Sequence, residues 1–126
     1  MKRLGIDYGT KKIGIALSDD SGVMAFPHDV VKNDQNFIKY IEDLVLEREV
    51  KEIVIGHSLN NQGEPNKVHS AVEDFITDAT LHIGIPVHLE PEQYSTKQAA
   101  IIQGRDKNTD AAAAAIILDS FIAKQK

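Results

Sequence analysis

The spacing of hydrophobic residues in the first part of the chain predicts a β-sheet that begins with antiparallel strands. Two apolar runs, 4–7 and 12–17, flank a short turn at 8–11, which is typical of a hairpin. A third apolar run at 23–26 follows a turn at 19–22. Pro27 comes directly after it and predicts an edge strand or an interruption. Three antiparallel strands are therefore expected first.

From Asp34 the spacing becomes helical, with Phe37, Ile41, Leu44 and Val45 on one face. The nearly all-apolar run 52–56 is typical of a central strand covered on both faces. After a polar loop at 58–64, apolar residues at helical spacing from 68 to 83 predict a second helix that ends at Gly84.

The remaining segment predicts one more strand and two more helices. The strand is expected at 86–89, with Leu89 facing inward and His88 and Glu90 on the opposite face. Ser95 and Gln98 form a capping box for a helix that ends near 104, and Asn108 is the expected cap of the last helix. The order β-β-β-α-β-α-β-α-α predicts an α/β fold, a mixed five-stranded sheet with helices on both faces.

Asp7 is an acid at the end of an otherwise apolar strand. Burying a carboxylate there is unfavourable unless a cation meets it. Glycines at 5, 9 and 14 remove side chains around it, so that a ligand or another segment of backbone can approach. Asp also commonly braces a turn through its own backbone. The strand alone leaves both interpretations open.

Asp110 heads the core-facing stripe of the last helix. At about 100° per residue, Ile117 and Phe121 return to within about 20° of its direction, whereas Asp119 points about 180° away. In open α/β sheets, functional sites gather beyond the carboxyl ends of the parallel strands. An acid after the fifth strand would join Asp7 and Asp110 there, but periodicity does not choose between Glu90 and Glu92.

Composition limits the classes of protein that the chain can belong to. It has 126 residues, 42% hydrophobic, with no cysteine and a net charge of −5, which predicts one globular domain, 1–126, without disulfides or thiolate metal sites. No apolar run approaches the roughly 20 residues of a membrane span and no secretory signal is evident, so we expect a cytoplasmic protein with no membrane partner. A uniformly basic nucleic-acid surface is excluded, but cations held by carboxylates would attract nucleic acid locally.

Three segments carry a resemblance to a known family: 4–16 (LGIDYGTKKIGIA), 53–63 (IVIGHSLNNQG) and 109–118 (TDAAAAAIIL). In this order they resemble the YqgF family, small bacterial proteins described as Holliday junction resolvases or pre-16S rRNA nucleases. The resemblance covers essentially the whole chain. It implies a ribonuclease H-like fold and a metal-dependent nuclease that acts in processing the 5′ end of precursor 16S rRNA.

The resemblance also implies the residues of the site. Asp7, Glu92 and Asp110 would be the catalytic ligands of two Mg²⁺ or Mn²⁺ ions; Glu92 is selected over Glu90 because Ser95 and the following helix continue in register. Carboxylates suit these ions, which activate water and neutralise phosphate charge. Candidate contacts to the substrate are Thr10, Lys11, Lys12, Asn60, Arg105 and Lys107. The implied partner is nucleic acid, RNA rather than branched DNA, bound by a monomer or a homodimer.

Three alternatives remain beside this interpretation. The turn after Asp7 also resembles the phosphate loop of sugar kinase and actin-type ATPases, but those proteins need a second domain that 126 residues cannot supply. A Holliday junction resolvase would use the same carboxylates in a dimer. A divergent, non-catalytic nucleic-acid-binding protein is the third, because Pro91 and Gln93 replace the acid and the arginine usual in the family, changes that would also weaken an enzyme.

Overall fold

The computed structural model describes residues 1–9, 11–57, 65–90 and 109–124. Within these ranges the chain forms five strands and three helices. They are β1 (Lys2–Tyr8), β2 (Lys12–Ser18), β3 (Ala25–Lys32), α1 (Phe37–Arg48), β4 (Val50–His57), α2 (Pro65–His82), β5 (Val87–Leu89) and α3 (Thr109–Lys124). The helix expected at 95–104 and the Asn108 cap lie outside the described residues. None of the three described helices is long and apolar enough to cross a membrane.

The five strands form one mixed sheet in the order β3-β2-β1-β4-β5. The pairs β1–β2 and β2–β3 are antiparallel, whereas β1–β4 and β4–β5 are parallel. This arrangement confirms the predicted α/β fold with three antiparallel strands followed by β-α crossovers. It brings the carboxyl ends of β1, β4 and β5 to one edge of the sheet.

The third strand differs from its prediction. It runs from Ala25 to Lys32, so the expected bounds of 23–26 and an interruption at Pro27 are wrong. Ala16 pairs with Pro27 and Ile15 with Asp29, which leaves His28 as the extra residue of a bulge. Because β3 is the edge strand, as Pro27 indicated, the proline can lack an amide hydrogen without breaking the sheet.

The sheet separates two apolar cores. On one face, Leu4 and Ile6 of β1 pack with the buried stripe of α1 (Phe37, Ile41, Leu44 and Val45), as predicted, and with α2. On the other face, α3 packs against Ala16 and Val54 through Ala114, Leu118 and its other buried apolar residues. The alternation along β1 therefore directs Gly5 and Asp7 toward α3.

Glycine lets α3 lie very close to the sheet. A Cβ built at Gly5 would lie 2.8 Å from Leu118 Cβ and 2.9 Å from the Ala114 carbonyl oxygen, and one at Gly56 would lie 3.1 Å from Ile117 Cδ1. The alanine-rich start of α3 complements these glycines.

Gly5→Ala tests this packing. The added methyl has no room against the backbone of α3, so we expect the free energy of unfolding to fall by about 1–3 kcal/mol. Urea denaturation followed by circular dichroism measures the change. Wild-type stability in this variant would contradict the close approach of α3 to β1.

Candidate active site at the carboxyl edge of the sheet

Asp7 is a buried carboxylate at the carboxyl end of β1, with only 8% of its surface exposed. Its partners on the two neighbouring strands are both glycine: Gly14 on β2 and Gly56 on β4. No side chain from an adjacent strand therefore stands beside Asp7 on the α3 face. Carboxylate oxygens are the donors that Mg²⁺ and Mn²⁺ prefer, so this position fits a hard divalent cation.

Helix α3 runs antiparallel to β1 across this face. The Arg3 guanidinium lies 5.8 Å from the centre of the Phe121 ring, and two residues further along β1, Gly5 meets Ala114 and Leu118. Two strand residues and one helical turn both advance by roughly 5–7 Å. The next turn of α3 toward its start contains Asp110, and we expect it to lie near the carboxyl end of β1. The Asp110 side chain lies outside the described part of the structure, so its predicted direction stays a prediction.

Glu90 is engaged in a separate ion pair. It is 4% exposed, and its Oε2 accepts hydrogen bonds from Ser120 Oγ at 2.9 Å and Lys124 Nζ at 2.7 Å. These donors compensate the burial of its charge. The expectation that Leu89 faces inward is wrong, because Leu89 is 42% exposed while Glu90 is buried against the last turns of α3. Glu90 thus connects the end of β5 to the carboxyl-terminal half of α3.

A polar cluster that the sequence analysis did not anticipate lies near the amino end of the sheet. Arg3 Nε donates to Glu52 Oε1, and His88 Nε2 lies 3.0 Å from Glu52 Oε2. The His88 ring stacks on Phe121 with the ring centres 5.0 Å apart. In the sequence, only the opposite charges of Arg3 and Glu52 indicate this cluster, and the parallel register of β1 and β4 places these two residues side by side.

The cluster keeps Glu52 ionised. Burial acts to raise the pKa of Glu52, but the hydrogen bonds from Arg3 and His88 outweigh it, so that the pKa lies below its usual value of 4.5. The ionised side chain therefore stabilises the fold at neutral pH.

The remaining predicted site residues divide into two groups. Lys11 and Lys12 are exposed at the start of β2. Thr10, Asn60, Glu92, Arg105 and Lys107 lie outside the described residues. Among the described side chains, no three of His, Cys, Asp and Glu form a group that could hold a metal ion. Two of the three predicted ligands, Glu92 and the Asp110 side chain, lie outside these described side chains.

Solved structures of proteins that act on Holliday junctions share this fold. Thermus thermophilus RuvC in complex with a Holliday junction superposes with a TM-score of 0.67 at 16% identity, covering 99% of this chain and 96% of that one. The fowlpox virus Holliday junction resolvase superposes with a TM-score of 0.58 at 16% identity, covering 98% and 99%. The molecule therefore has the ribonuclease H-like fold of these resolvases, as the resemblance implied.

Sequence comparison identifies the family. The RuvX family, described as Holliday junction resolvase, matches residues 1–124. A Maridesulfovibrio salexigens protein named "Putative pre-16S rRNA nuclease" is 34% identical over 135 residues, covering 98% of this chain and 99% of the relative. A Mycoplasmopsis synoviae protein of the same name is 31% identical, covering 97% of each. The chain belongs to the RuvX (YqgF) family of nucleases, which confirms the resemblance.

Glu52→Gln tests the electrostatic role of the polar cluster. We expect the free energy of unfolding at pH 7 to fall by about 1–3 kcal/mol, because a charged acceptor of two hydrogen bonds is lost. The folded-state pKa of Glu52 is lowered, so its contribution is present above about pH 4.5 and is lost as the pH falls through the folded value. The difference between wild type and variant should therefore shrink in acid.

Urea denaturation at several pH values measures this difference. Glu47→Gln, which changes an exposed glutamate on α1, is the control and should differ from wild type by less than about 0.5 kcal/mol. A difference for Glu52→Gln that stays constant from neutral pH to well below pH 4.5 would contradict the assignment.

Proposed function

We propose that this protein is a metal-dependent nuclease in which Asp7, Glu92 and Asp110 hold two Mg²⁺ or Mn²⁺ ions. The observation that carries the proposal is the buried Asp7 carboxylate, flanked by glycine on both neighbouring strands. The close contact between α3 and β1 supports the inclusion of Asp110. The ion pair that engages Glu90 supports Glu92 as the third ligand.

The chain's own residues perform distinct tasks in this mechanism. When bound, the two ions supply an activated water and neutralise charge on the phosphate. Asp7 would hold both ions through its carboxylate oxygens, and Glu92 and Asp110 would each hold one of them. The burial of Asp7 keeps bulk water from competing for its oxygens. Phosphodiester hydrolysis then requires no nucleophile from the protein.

For the substrate we propose the 5′ region of precursor 16S rRNA, cleaved in the cytoplasm. Support comes from the names of relatives that align over nearly their full length. Thr10, Lys11, Lys12, Asn60, Arg105 and Lys107 are the proposed contacts. Lys11 and Lys12 are exposed and available to phosphate groups.

The second candidate function is resolution of Holliday junctions, which the description of the matching family favours. The same three carboxylates would serve. A junction is cut on two strands, so this activity requires a homodimer with two sites, whereas RNA cleavage requires only a monomer.

Asp7→Asn tests the nuclease proposal. Replacing a ligand shared by both ions should reduce Mg²⁺- or Mn²⁺-dependent cleavage at least about 100-fold, equivalent to about 2.7 kcal/mol of transition-state stabilisation. The assay uses an RNA extended at the 5′ end of 16S rRNA and a four-way DNA junction in parallel. We expect the RNA to be cut in preference; preferential cutting of the junction would favour the resolvase.

Asp119→Asn is the matched control, because Asp119 is an exposed acid on α3. It should cleave at the wild-type rate. Thermal unfolding with and without Mn²⁺ gives an independent measure, since only proteins that bind the ion in the folded state are stabilised by it. Equal residual cleavage by wild type and Asp7→Asn would identify a contaminant and refute the proposal.

A paired substitution separates the two glutamates after β5. Glu92→Gln should abolish cleavage with little loss of stability. Glu90→Gln should retain cleavage and lower the free energy of unfolding by about 1–3 kcal/mol, because Lys124 loses its charged partner. Cleavage assays and urea denaturation on both variants measure these effects. The reverse pattern would assign the metal ligand to Glu90.

A further inference from the structure

Two lysines face each other directly across strands β2 and β3. Lys12 and Lys32 are cross-strand partners, and both side chains are exposed. Within the described part of the chain, no carboxylate lies in ion-pair range of either ammonium group. The Asp34 carboxylate instead accepts a hydrogen bond from the backbone N–H of Asn36 at 2.9 Å. We refer to Lys12 and Lys32 as the lysine pair.

The lysine pair lies on the same face of the sheet as Asp7. Along β2, Ile13 and Ile15 face α1 and α2 while Ala16 faces α3, so Lys12 and Gly14 also point to the α3 side. Gly14 is the partner of Asp7, which makes Lys12 its diagonal neighbour at roughly 7–8 Å. Lys32 lies beside Lys12 on β3, the next strand outward, and is therefore further from Asp7.

The placement of this pair is unfavourable for the isolated protein. Like charges directly opposite each other across two strands repel. The protein as a whole is acidic, with a net charge of −5. Two lysines on its helices, Lys39 and Lys124, each form an ion pair with an acidic residue. A polyanion that spans both ammonium groups would remove the repulsion.

We propose that the lysine pair binds the phosphates of the single-stranded substrate next to the scissile bond. The substrate would then run from Asp7 over β2 and β3. This inference rests on the proposed nuclease function and assigns Lys32 as a further substrate-positioning residue. Lys12 holds the nearer phosphate and Lys32 the next one outward. Because ammonium groups contact phosphate and not bases, this binding is independent of sequence.

The test measures how RNA binding depends on salt. Fluorescence anisotropy follows a labelled single-stranded RNA bound by the 126-residue chain in EDTA, where no metal-dependent cleavage occurs. Plotted as log affinity against log salt concentration, the slope should fall by about 0.7 in magnitude for Lys12→Gln or Lys32→Gln, and by about 1.4 for the double variant. The thermal unfolding midpoint should not fall, because a repulsive pair is removed.

Lys51→Gln is the matched control. Lys51 is an exposed lysine near the amino end of β4, whereas Asp7 lies at the carboxyl end of the neighbouring strand β1. Its replacement changes the net charge by the same amount. Its slope should match wild type. An unchanged slope in the lysine-pair variants, or an equal change in Lys51→Gln, would overturn the inference.

The binding and cleavage measurements test the two proposals separately. An unchanged slope together with loss of cleavage in Asp7→Asn would refute the lysine pair and leave the nuclease proposal standing. A reduced slope together with full cleavage in Asp7→Asn would refute the metal site and leave the lysine pair standing as a nucleic-acid contact.

Discussion

The contact between α3 and β1 is the constraint on which the rest of the structure depends. Gly5 has no side chain, and the backbone of Ala114 and the Cβ of Leu118 occupy the space that one would need. Close packing of this kind tolerates little displacement. The register of the helix on the strand is therefore defined, and with it the position of the helix start relative to Asp7.

The α3 face of the sheet is divided along its length by this packing. Toward its amino end, the charges of Arg3 and Glu52 are satisfied within the protein, and Phe121 covers them. Glu90 and Lys124 attach the end of the helix to β5. At the carboxyl end, Asp7 stands between two glycines. Internal compensation at one end stabilises the helix, and at the other end a carboxylate donor is buried on the face that α3 covers.

Much of the fold follows from local pattern. The hairpin, the buried stripe of α1, the central strand β4 and the end of α2 before Gly84 were all predictable, because each combines a clear period with a turn or capping signal. Strand β3 was not, since its pairing continues past Pro27 through a bulge that depends on β2. The direction of Leu89 was also missed, because the burial of Glu90 depends on Ser120 and Lys124, which are distant in sequence.

Less of the candidate site than of the fold could be predicted from local pattern. Asp7 stood out as an acid at the end of an apolar strand, and helical periodicity put Asp110 at the head of a core-facing stripe; Asp7 is buried in the structure. The choice of Glu92 required the family resemblance, because a proline at position 91 is expected to break the strand and alternation does not extend beyond it. The lysine pair requires the strand register, because Lys12 and Lys32 are neighbours only through the pairing of β2 with β3.

The most direct test of the account is a crystal structure of the protein with Mn²⁺, in which anomalous scattering locates the ions. We expect Mn²⁺ to be bound to the Asp7 carboxylate at about 2.1–2.2 Å, with oxygens of Glu92 and Asp110 in the same coordination shells. Ions bound elsewhere, or an Asp110 side chain directed into solvent away from Asp7, would contradict it.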